Sequence, residues 1–593
     1  MSSSESKSSN LMSEVSLRAG SSQNGNGYND PELQEKESCQ THSIHNRHAH
    51  SYNDGTRDDV SNLNPVGVED DSQILHGPRL IMCILSTCLC LFLMALDQTI
   101  TAAIISEVSA KFKSFDEITW ITAGFFLGTG ALCQIWGQAS SIWGRKWIML
   151  LGVFIFEIGS LICALSQSMK VFIVGRVIQG MGGANIETVA ILICTEVSTM
   201  ELRPMVFAMV SLDFTIATVL GPIIGGLFAT YVSWRWCFYI NLCFGGIIVP
   251  VFFISFNPKT PKGTFKEKMK KLDCIGSFFM ISSIVITLIA TSLGVSDFSW
   301  NSGPVIVCFI LGGLLAIAFL IWNFKYSSCP LIRKSIVGIP QISFAAGSLS
   351  FGYSAYTVSL QFLSIYFQVV KGDDSIRTGL SLLPIIISCA LASLLVSVII
   401  AKTGHVKVFS ISSALLLCIG SGLLVLLHIK ESFSRHVGLL IITGIGCGLV
   451  FQPALMSAQM LAPDEENGLI MTNSYMYFGQ NIGIALNSQI SQVIYSETLK
   501  SNLASVANSG KISEYAPSFD LVTLADNTGL LQSFSESDQL IIKGAFIKSL
   551  HNTFYFSIAL SAVALLCACF MSDIKFSTNK DNELVVETQE RKR

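Results

Sequence analysis

The chain has 593 residues, 50% of them hydrophobic and 13% charged, with a formal net charge of -3 and a mean hydropathy of +0.55. A soluble domain usually carries about 25% charged residues, so the deficit points away from a water-soluble enzyme and toward a polytopic membrane protein. The small net charge is silent about partners because the charges sit in tails and loops, and no nucleic-acid partner is expected.

Residues 1–78 are polar and rich in Ser, Asn and Asp, and read as a disordered cytoplasmic tail. They contain no apolar core of a signal peptide, so the first spanning segment is expected to act as the signal. Four of the nine histidines fall between Thr41 and His50. A solvated low-complexity tract is the simpler reading of that run than a metal site, and no metal or cofactor is expected. Asp70 to Leu75 resembles an acidic dileucine sorting signal placed close to the membrane.

From Leu80 on, continuous apolar runs of roughly 20 residues predict membrane-spanning helices rather than the alternating pattern of a barrel. The expected spans are 80–105, 118–138, 147–166, 171–194, 205–231, 238–256, 274–295, 304–324, 342–370, 379–401, 408–428, 437–459, 469–495 and 549–571. Residues 342–370 are long for one span, and Gly352 offers a place to bend. With the N-terminus inside, fourteen Lys and Arg residues fall in inner loops and eight in short outer loops. That bias puts both termini in the cytoplasm. The implied organisation is a tail (1–78), a first bundle (79–256), a basic loop with a helix pair and linker (257–339), a second bundle (340–571) with a long outer loop (496–548), and a cytoplasmic tail (572–593). Most of the seventeen cysteines lie inside apolar runs and no CxxC pair occurs, so they read as buried thiols acting as small hydrophobes.

Charges inside the spans carry the functional signal, because an ionised group at mid-bilayer costs about 2.5–3.5 kcal/mol on insertion scales. Five such residues cluster in the first half: Asp97, Glu157, Arg176, Glu187 and Asp213. Asp97 is either an acid at a helix end or a proton-carrying group on a cavity wall. Arg176 sits among glycines that permit close helix contact and needs a partner or water. Glu187 follows eleven residues later, three helical turns on, and so shares its face. Glu157 suits a structural hydrogen bond as well as a functional role, and Asp213 is a candidate for tuning cation selectivity. The second half is nearly free of ionisable residues in its spans but carries a polar stripe: Asn473, Tyr477, Gln480, Asn487 and Ser491 recur at helical spacing. The stripe serves either a substrate cavity or contact between helices. Gln179, Gln361, Tyr366 and Gln368 are further cavity candidates. No nucleophile–base set and no GxxxxGK[ST] phosphate loop appears, so an ion gradient is favoured over ATP as the energy source.

Six segments in order resemble the major facilitator superfamily, and within it the fourteen-span drug:proton antiporter group common in fungi. Gly137 to Lys146 (GQASSIWGRK), with Gly144, Arg145 and Lys146, is similar to the loop motif after the second span. Gly175 to Gly183, with Gly180, is similar to the proton-transfer motif of the fourth span. Ala217 to Gly226, with Gly221, Pro222, Gly225 and Gly226, is similar to the antiporter motif of the fifth. Leu96 to Ile100, Trp234 to Leu242 and Tyr366 to Gly372 are similar to signatures of the fourteen-span group.

The resemblance, over about residues 79–571, implies an all-α membrane protein of the major facilitator fold: two six-helix bundles with an extra helix pair at 274–324, and fourteen transmembrane helices. It implies alternating access around a central site, proton coupling through Asp97 and Arg176, and substrates that are small organic molecules such as drugs or basic amino acids. Where the family has an acid that helps latch the inner gate, this chain has Ser141, which puts the usual latch in doubt. The expected function is a proton-coupled antiporter of cationic molecules, functional as a monomer, on the plasma or vacuolar membrane. A vacuolar importer of basic amino acids is the alternative, and a non-transporting nutrient sensor signalling through its tails is the alternative of another class.

Overall fold

Seventeen α-helices and no β-strand are found among the described residues of the computed structural model. It describes residues 78–573 except 113, 115–116, 118–119, 198–202, 259–263, 297, 374, 430–432, 464, 466–467 and 509–533. The expectations for the histidine-rich tract, the dileucine-like segment and the C-terminal tail beyond 573 lie outside those residues.

Six long helices come first: α1 (Pro78–Phe112), α2 (Trp120–Trp143), α3 (Arg145–Leu165), α4 (Met169–Val197), α5 (Arg203–Tyr231) and α6 (Trp236–Ser255). After the short α7 (Phe265–Lys270) comes the pair α8 (Cys274–Ser296) and α9 (Gly303–Ile321), which ends in a widened π turn at Trp322–Tyr326. The short α10 (Lys334–Val337) leads to the second set: α11 (Pro340–Ile365), α12 (Ser375–Thr403), α13 (Lys407–Leu424), α14 (Phe433–Gly448), α15 (Phe451–Met460), α16 (Gly468–Asn508) and α17 (Glu536–Phe570). Each of the fourteen expected spans is helical.

The two sets pack alike. In the first, α1 packs on α5 and α6, α4 on α2 and α3, and α3 on α6. In the second, α11 packs on α16 and α17, α14 on α12 and α13, and α13 on α17. Between the bundles the pairing is reciprocal: the second helix of one meets the fifth of the other, α2 with α16 and α12 with α5. The α8–α9 pair stays together and touches α16 and α2. The Asp273 carboxylate helps hold that pair, accepting from the Gly276 backbone N–H (2.8 Å), Trp322 Nε1 (3.0 Å) and Ser327 Oγ (2.6 Å).

Eleven helices are long and apolar enough to cross a membrane by length and composition. Three of the remaining long helices, α2, α11 and α16, are too polar for that measure, and they pack in series, α2 on α16 and α16 on α11. A helix shielded from lipid by its neighbours can carry polar residues at low cost, because they find partners within the protein. The most polar spans therefore lie together along the junction of the bundles.

Three expectations change in detail. Residues 496–508 and 536–548 are helical, so the last two spans extend into the stretch expected as a long outer loop, of which 509–533 lie outside the described residues. These extensions escape a hydropathy reading because they are amphipathic. They bury Leu499, Leu503, Ile542 and Phe546 against each other's helices and join Asn502 Nδ2 to Ser549 Oγ at 2.9 Å. The long ninth span stays helical through Gly352, where Val450 packs; α11 continues to Ile365 and widens into a π turn at Tyr366–Lys371, closed by Gly372 at φ +77°. The span read as 437–459 is split between α14 and α15.

Candidate functional site

Asp97 stands near the middle of α1 and is fully enclosed. Arg176 and Gln179, three residues apart on α4, share one face of that helix and both reach it. Arg176 Nη1 donates to Asp97 Oδ2 at 2.5 Å and to Gln179 Oε1 at 2.6 Å, while Arg176 Nε donates to the Ile121 carbonyl of α2 at 3.1 Å. Gln179 Nε2 donates to Asp97 Oδ1 (2.7 Å) and Ser160 Oγ of α3 (2.8 Å). Asn241 Nδ2 of α6 donates to the same two acceptors, at 2.9 and 3.2 Å. The guanidinium lies over the Phe125 ring, 4.6 Å from its centroid. One acid and one base, with the surrounding amides, thus tie five helices of the first bundle together. Both charges are buried, so each depends on the other.

Close helix approach makes this geometry possible. A Cβ on Gly180 would strike the Phe125 carbonyl, one on Gly128 the Val177 carbonyl, and one on Gly159 the Gln179 backbone nitrogen. Glycine at these crossings lets α2, α3 and α4 touch backbone to backbone.

Among the described residues the other acids make no hydrogen bond to Asp97 or its partners. The Glu157 oxygens, on α3, find no hydrogen-bond partner among the described residues and lie against Gly245 of α6. Asp213 of α5 is half-buried, with Oδ2 unpartnered among the described residues. Glu187 shares α4 with Arg176 but meets the second bundle, where Asn481 Nδ2 donates to its Oε2 at 3.4 Å.

The α2–α3 turn is a single residue, Gly144, at φ +97°. That backbone region is almost exclusive to glycine, so Gly144→Ala is expected to cost about 1–3 kcal/mol, read as a lowered thermal midpoint of the detergent-purified protein; an unchanged midpoint would refute the strain. Arg145 forms an ion pair with Glu196 at the far end of α4. Burial pushes the Glu196 carboxyl up, and the neighbouring Arg145 guanidinium draws it back in part. Lys146 donates to Asn257 Oδ1 (3.3 Å) and lies over the Phe253 ring (4.2 Å). Ser141, where the family has an acid, donates to the Gln138 carbonyl (2.8 Å). Gln138 Nε2 in turn reaches the Pro330 carbonyl after α9 (3.1 Å), and Gly137 sits against Ser474 Oγ of α16.

On α5, Gly221 fits against Thr99 of α1, whose hydroxyl donates to the Ala217 carbonyl (3.1 Å). Pro222 faces Gly379 of α12, across the bundle junction, and a Cβ there would lie 2.9 Å from the Pro222 carbonyl oxygen. Gly225 and Gly226 are buried in the same helix. In the second bundle, Asn473 accepts from Gln459 Nε2 (3.0 Å), and Asn487 Nδ2 donates to Ser354 Oγ (3.2 Å). The Tyr477 hydroxyl, Gln480 Oε1 and both amide atoms of Gln361 and Gln368 are buried without partners. Among the described residues no group of three or more His, Cys, Asp or Glu is arranged to hold a metal.

Residues of these networks that the sequence reading did not single out as candidates include Ser160, Asn241, Glu196, Asn257, Ser354, Gln459 and Asn481. Asn241 had a signal, an amide in the first turns of a spanning helix within Trp234 to Leu242; Ser160 had none, since a lone serine is ordinary in a spanning helix.

The description "Major Facilitator Superfamily" matches residues 87–488. The chain is 31% identical over 514 residues to the MFS-type transporter ptmT of Penicillium ochrochloron, covering 84% of this chain and 87% of that protein. It is 30% identical to the efflux pump aflT of Aspergillus parasiticus (84% and 95% covered) and 32% identical to vacuolar basic amino acid transporter 5 of Saccharomyces cerevisiae (75% and 83% covered). Among solved structures, a bacterial homologue of the human lysosomal transporter Spinster, inward-facing and unoccupied, superposes with a TM-score of 0.53 at 16% identity, over 85% of this chain and all of that one. That likeness speaks for the fold alone. With the paired bundles and the family match, the chain belongs to the Major Facilitator Superfamily and is an integral membrane transporter of small molecules, not an enzyme.

Proposed function

We propose that the chain is a proton-coupled antiporter that moves small organic cations out of the cytoplasm by alternating access. The observation that carries this is the Asp97–Arg176–Gln179 network with Ser160 and Asn241. With Asp97 ionised, the buried pair is neutral. A proton on Asp97 leaves Arg176 uncompensated and weakens the tie between α1 and α4, which biases the first bundle toward a second arrangement. Glu157 is the next acid along the same interior; Asp213 tunes cation selectivity. The Gly221–Pro222 segment of α5, packed on α1 and α12, passes the change to the bundle junction. The functional halves are 79–256 and 340–571, with 257–339 as a spacer carrying the helix pair, and the transporter works as a monomer with both termini cytoplasmic. The test is transport of radiolabelled arginine or a cationic dye into sealed inside-out vesicles. Accumulation is expected to rise with an imposed proton gradient and collapse with a protonophore; accumulation indifferent to both sinks the reading.

A vacuolar importer of basic amino acids is the second reading, favoured by the 32% identity to a transporter of that name. It places the protein on the vacuolar membrane, and a tagged copy seen only at the cell surface would count against it.

A further inference from the structure

The stretch from the end of α9 to the start of α11 lies across parts of both bundles. Its first residues are pinned to the helix pair. Ser327 Oγ donates to Asp273 Oδ2 (2.6 Å), Asn323 Nδ2 donates to the Ile332 carbonyl (2.8 Å), and the Ile332 N–H donates back to Asn323 Oδ1 (3.1 Å). Leu331 and Ile332 are buried with Met280 of α8 and Phe319 of α9, and Ile135 of α2 and Phe478 of α16 pack on that cluster. The later residues are tied to the second bundle: Arg333 Nη1 and Ser335 Oγ each donate to Glu465 Oε2 at 3.3 Å, in the turn between α15 and α16. From the first bundle comes one side chain, Gln138 at the end of α2. Its Nε2 donates to the Pro330 carbonyl (3.1 Å) and to the Cys329 carbonyl (3.5 Å), and the residue is buried. Gly137 beside it fits against Ser474 Oγ of α16, and Ser141, uncharged, donates to the Gln138 carbonyl (2.8 Å). Two carbonyls on a segment already fixed by Asn323, Asp273 and Glu465 need a donor, which an amide supplies and a carboxylate does not. Because the segment is fixed beforehand, little ordering opposes the bond.

We propose that residues 327–337 form a strap that clasps the two bundles together at the end where α2 finishes and α16 begins, with Gln138 as its catch. The proposal rests on the alternating-access reading and deepens it: that end is the cytoplasmic one, its two sides have to part, and the Gln138–Pro330 bond is a contact that breaks when they do. The strap moves with the second bundle, to which Glu465 holds it, and the catch moves with the first. Since the catch is buried and neutral, salt leaves it in place, whereas the exposed Arg333–Glu465 pair weakens as ionic strength rises.

The test is hydrogen–deuterium exchange, read by mass spectrometry, on the purified full chain in lipid nanodiscs. Gln138→Leu keeps the volume and removes the donor. Loss of one neutral hydrogen bond is expected to speed exchange about 2- to 10-fold in 327–337, in the last turns of α2 and in the first turns of α16. Gln138→Ala should do the same. Trp120→Phe removes the bond from Nε1 to Ser292 Oγ (2.9 Å) at the opposite end of α2 and is expected to leave exchange in the strap unchanged. Wild-type exchange at the strap in both Gln138 variants overturns the proposal. So does exchange that rises equally in α4 and α13, which would mark a general loss of stability, or a strap loosened as much by Trp120→Phe. Rocking of the bundles predicts, in addition, slower exchange around the Pro222–Gly379 contact, at the opposite ends of α5 and α12. A faster strap without that protection would leave the clasp standing and count against alternating access.

Discussion

Replacing Asp97 by Asn is expected to abolish proton-driven accumulation while leaving the fold in place. Asparagine fills the same volume and still presents an oxygen to Arg176 Nη1, but its Nδ2 meets the donors Gln179 Nε2 and Asn241 Nδ2, so those amides must turn and some stability is lost while the helices keep their places. It has no site for a proton, so substrate exchange at equal pH on both sides should persist when gradient-driven uptake falls to background. Uptake by Asp97→Asn that still follows the gradient would remove Asp97 from the coupling path. Asp97→Ala is a harsher change: it leaves the Arg176 guanidinium buried without its carboxylate, and breaking a buried pair in this way costs about 3–5 kcal/mol. The expected result is a protein recovered at low yield with a depressed thermal midpoint. Arg176→Lys should fall between the two, because one ammonium cannot reach Asp97, Gln179 and the Ile121 carbonyl in the geometry of the planar guanidinium.

The second large effect belongs to the α2–α4 crossing. Gly180→Leu must drive α2 away, since even a Cβ there meets the Phe125 carbonyl. Overpacking alone costs about 1–3 kcal/mol, and the damage extends further. Phe125 supplies the ring beneath Arg176, and Ile121, one turn earlier on α2, supplies the carbonyl that holds Nε. Moving α2 therefore loosens Arg176 and, through it, Asp97. The expected outcome is loss of both thermal stability and transport, whereas Gly246→Leu, at an exposed glycine with nothing within 4 Å of its Cβ position, should alter neither. Equal tolerance at the two sites would show that the crossing is not tight in the membrane.

The contrast between neighbouring glycines marks what a single sequence does not reveal. Gly245 is pressed against Glu157 while Gly246 is open, yet the two are adjacent and chemically identical. Periodicity could place both on α6 but not say which one a neighbouring helix would meet. The embedded charges were legible for a different reason: hydrocarbon tolerates so few charges that Asp97, Glu157, Arg176, Glu187 and Asp213 stand out against their runs. Their grouping was not legible. Reading Arg176 and Glu187 as one stripe was geometrically sound for α4 alone, but α4 is surrounded, and its two charges meet different partners: Arg176 reaches α1 and α2, Glu187 reaches α16.

Composition and the length of the apolar runs by themselves determined that the chain is a bundle of membrane-spanning helices and which rare charges stand out, because lipid admits only helices with satisfied backbones and removes unneeded charge. Tertiary packing alone decided that Ser160 and Asn241 complete the Asp97–Arg176 network, that Glu196 answers Arg145, and that the three most polar helices sit at the bundle junction. Those pairings join residues from 19 to 144 positions apart, and a contact made between different helices across such a separation depends on how helix faces dock, which no local pattern records.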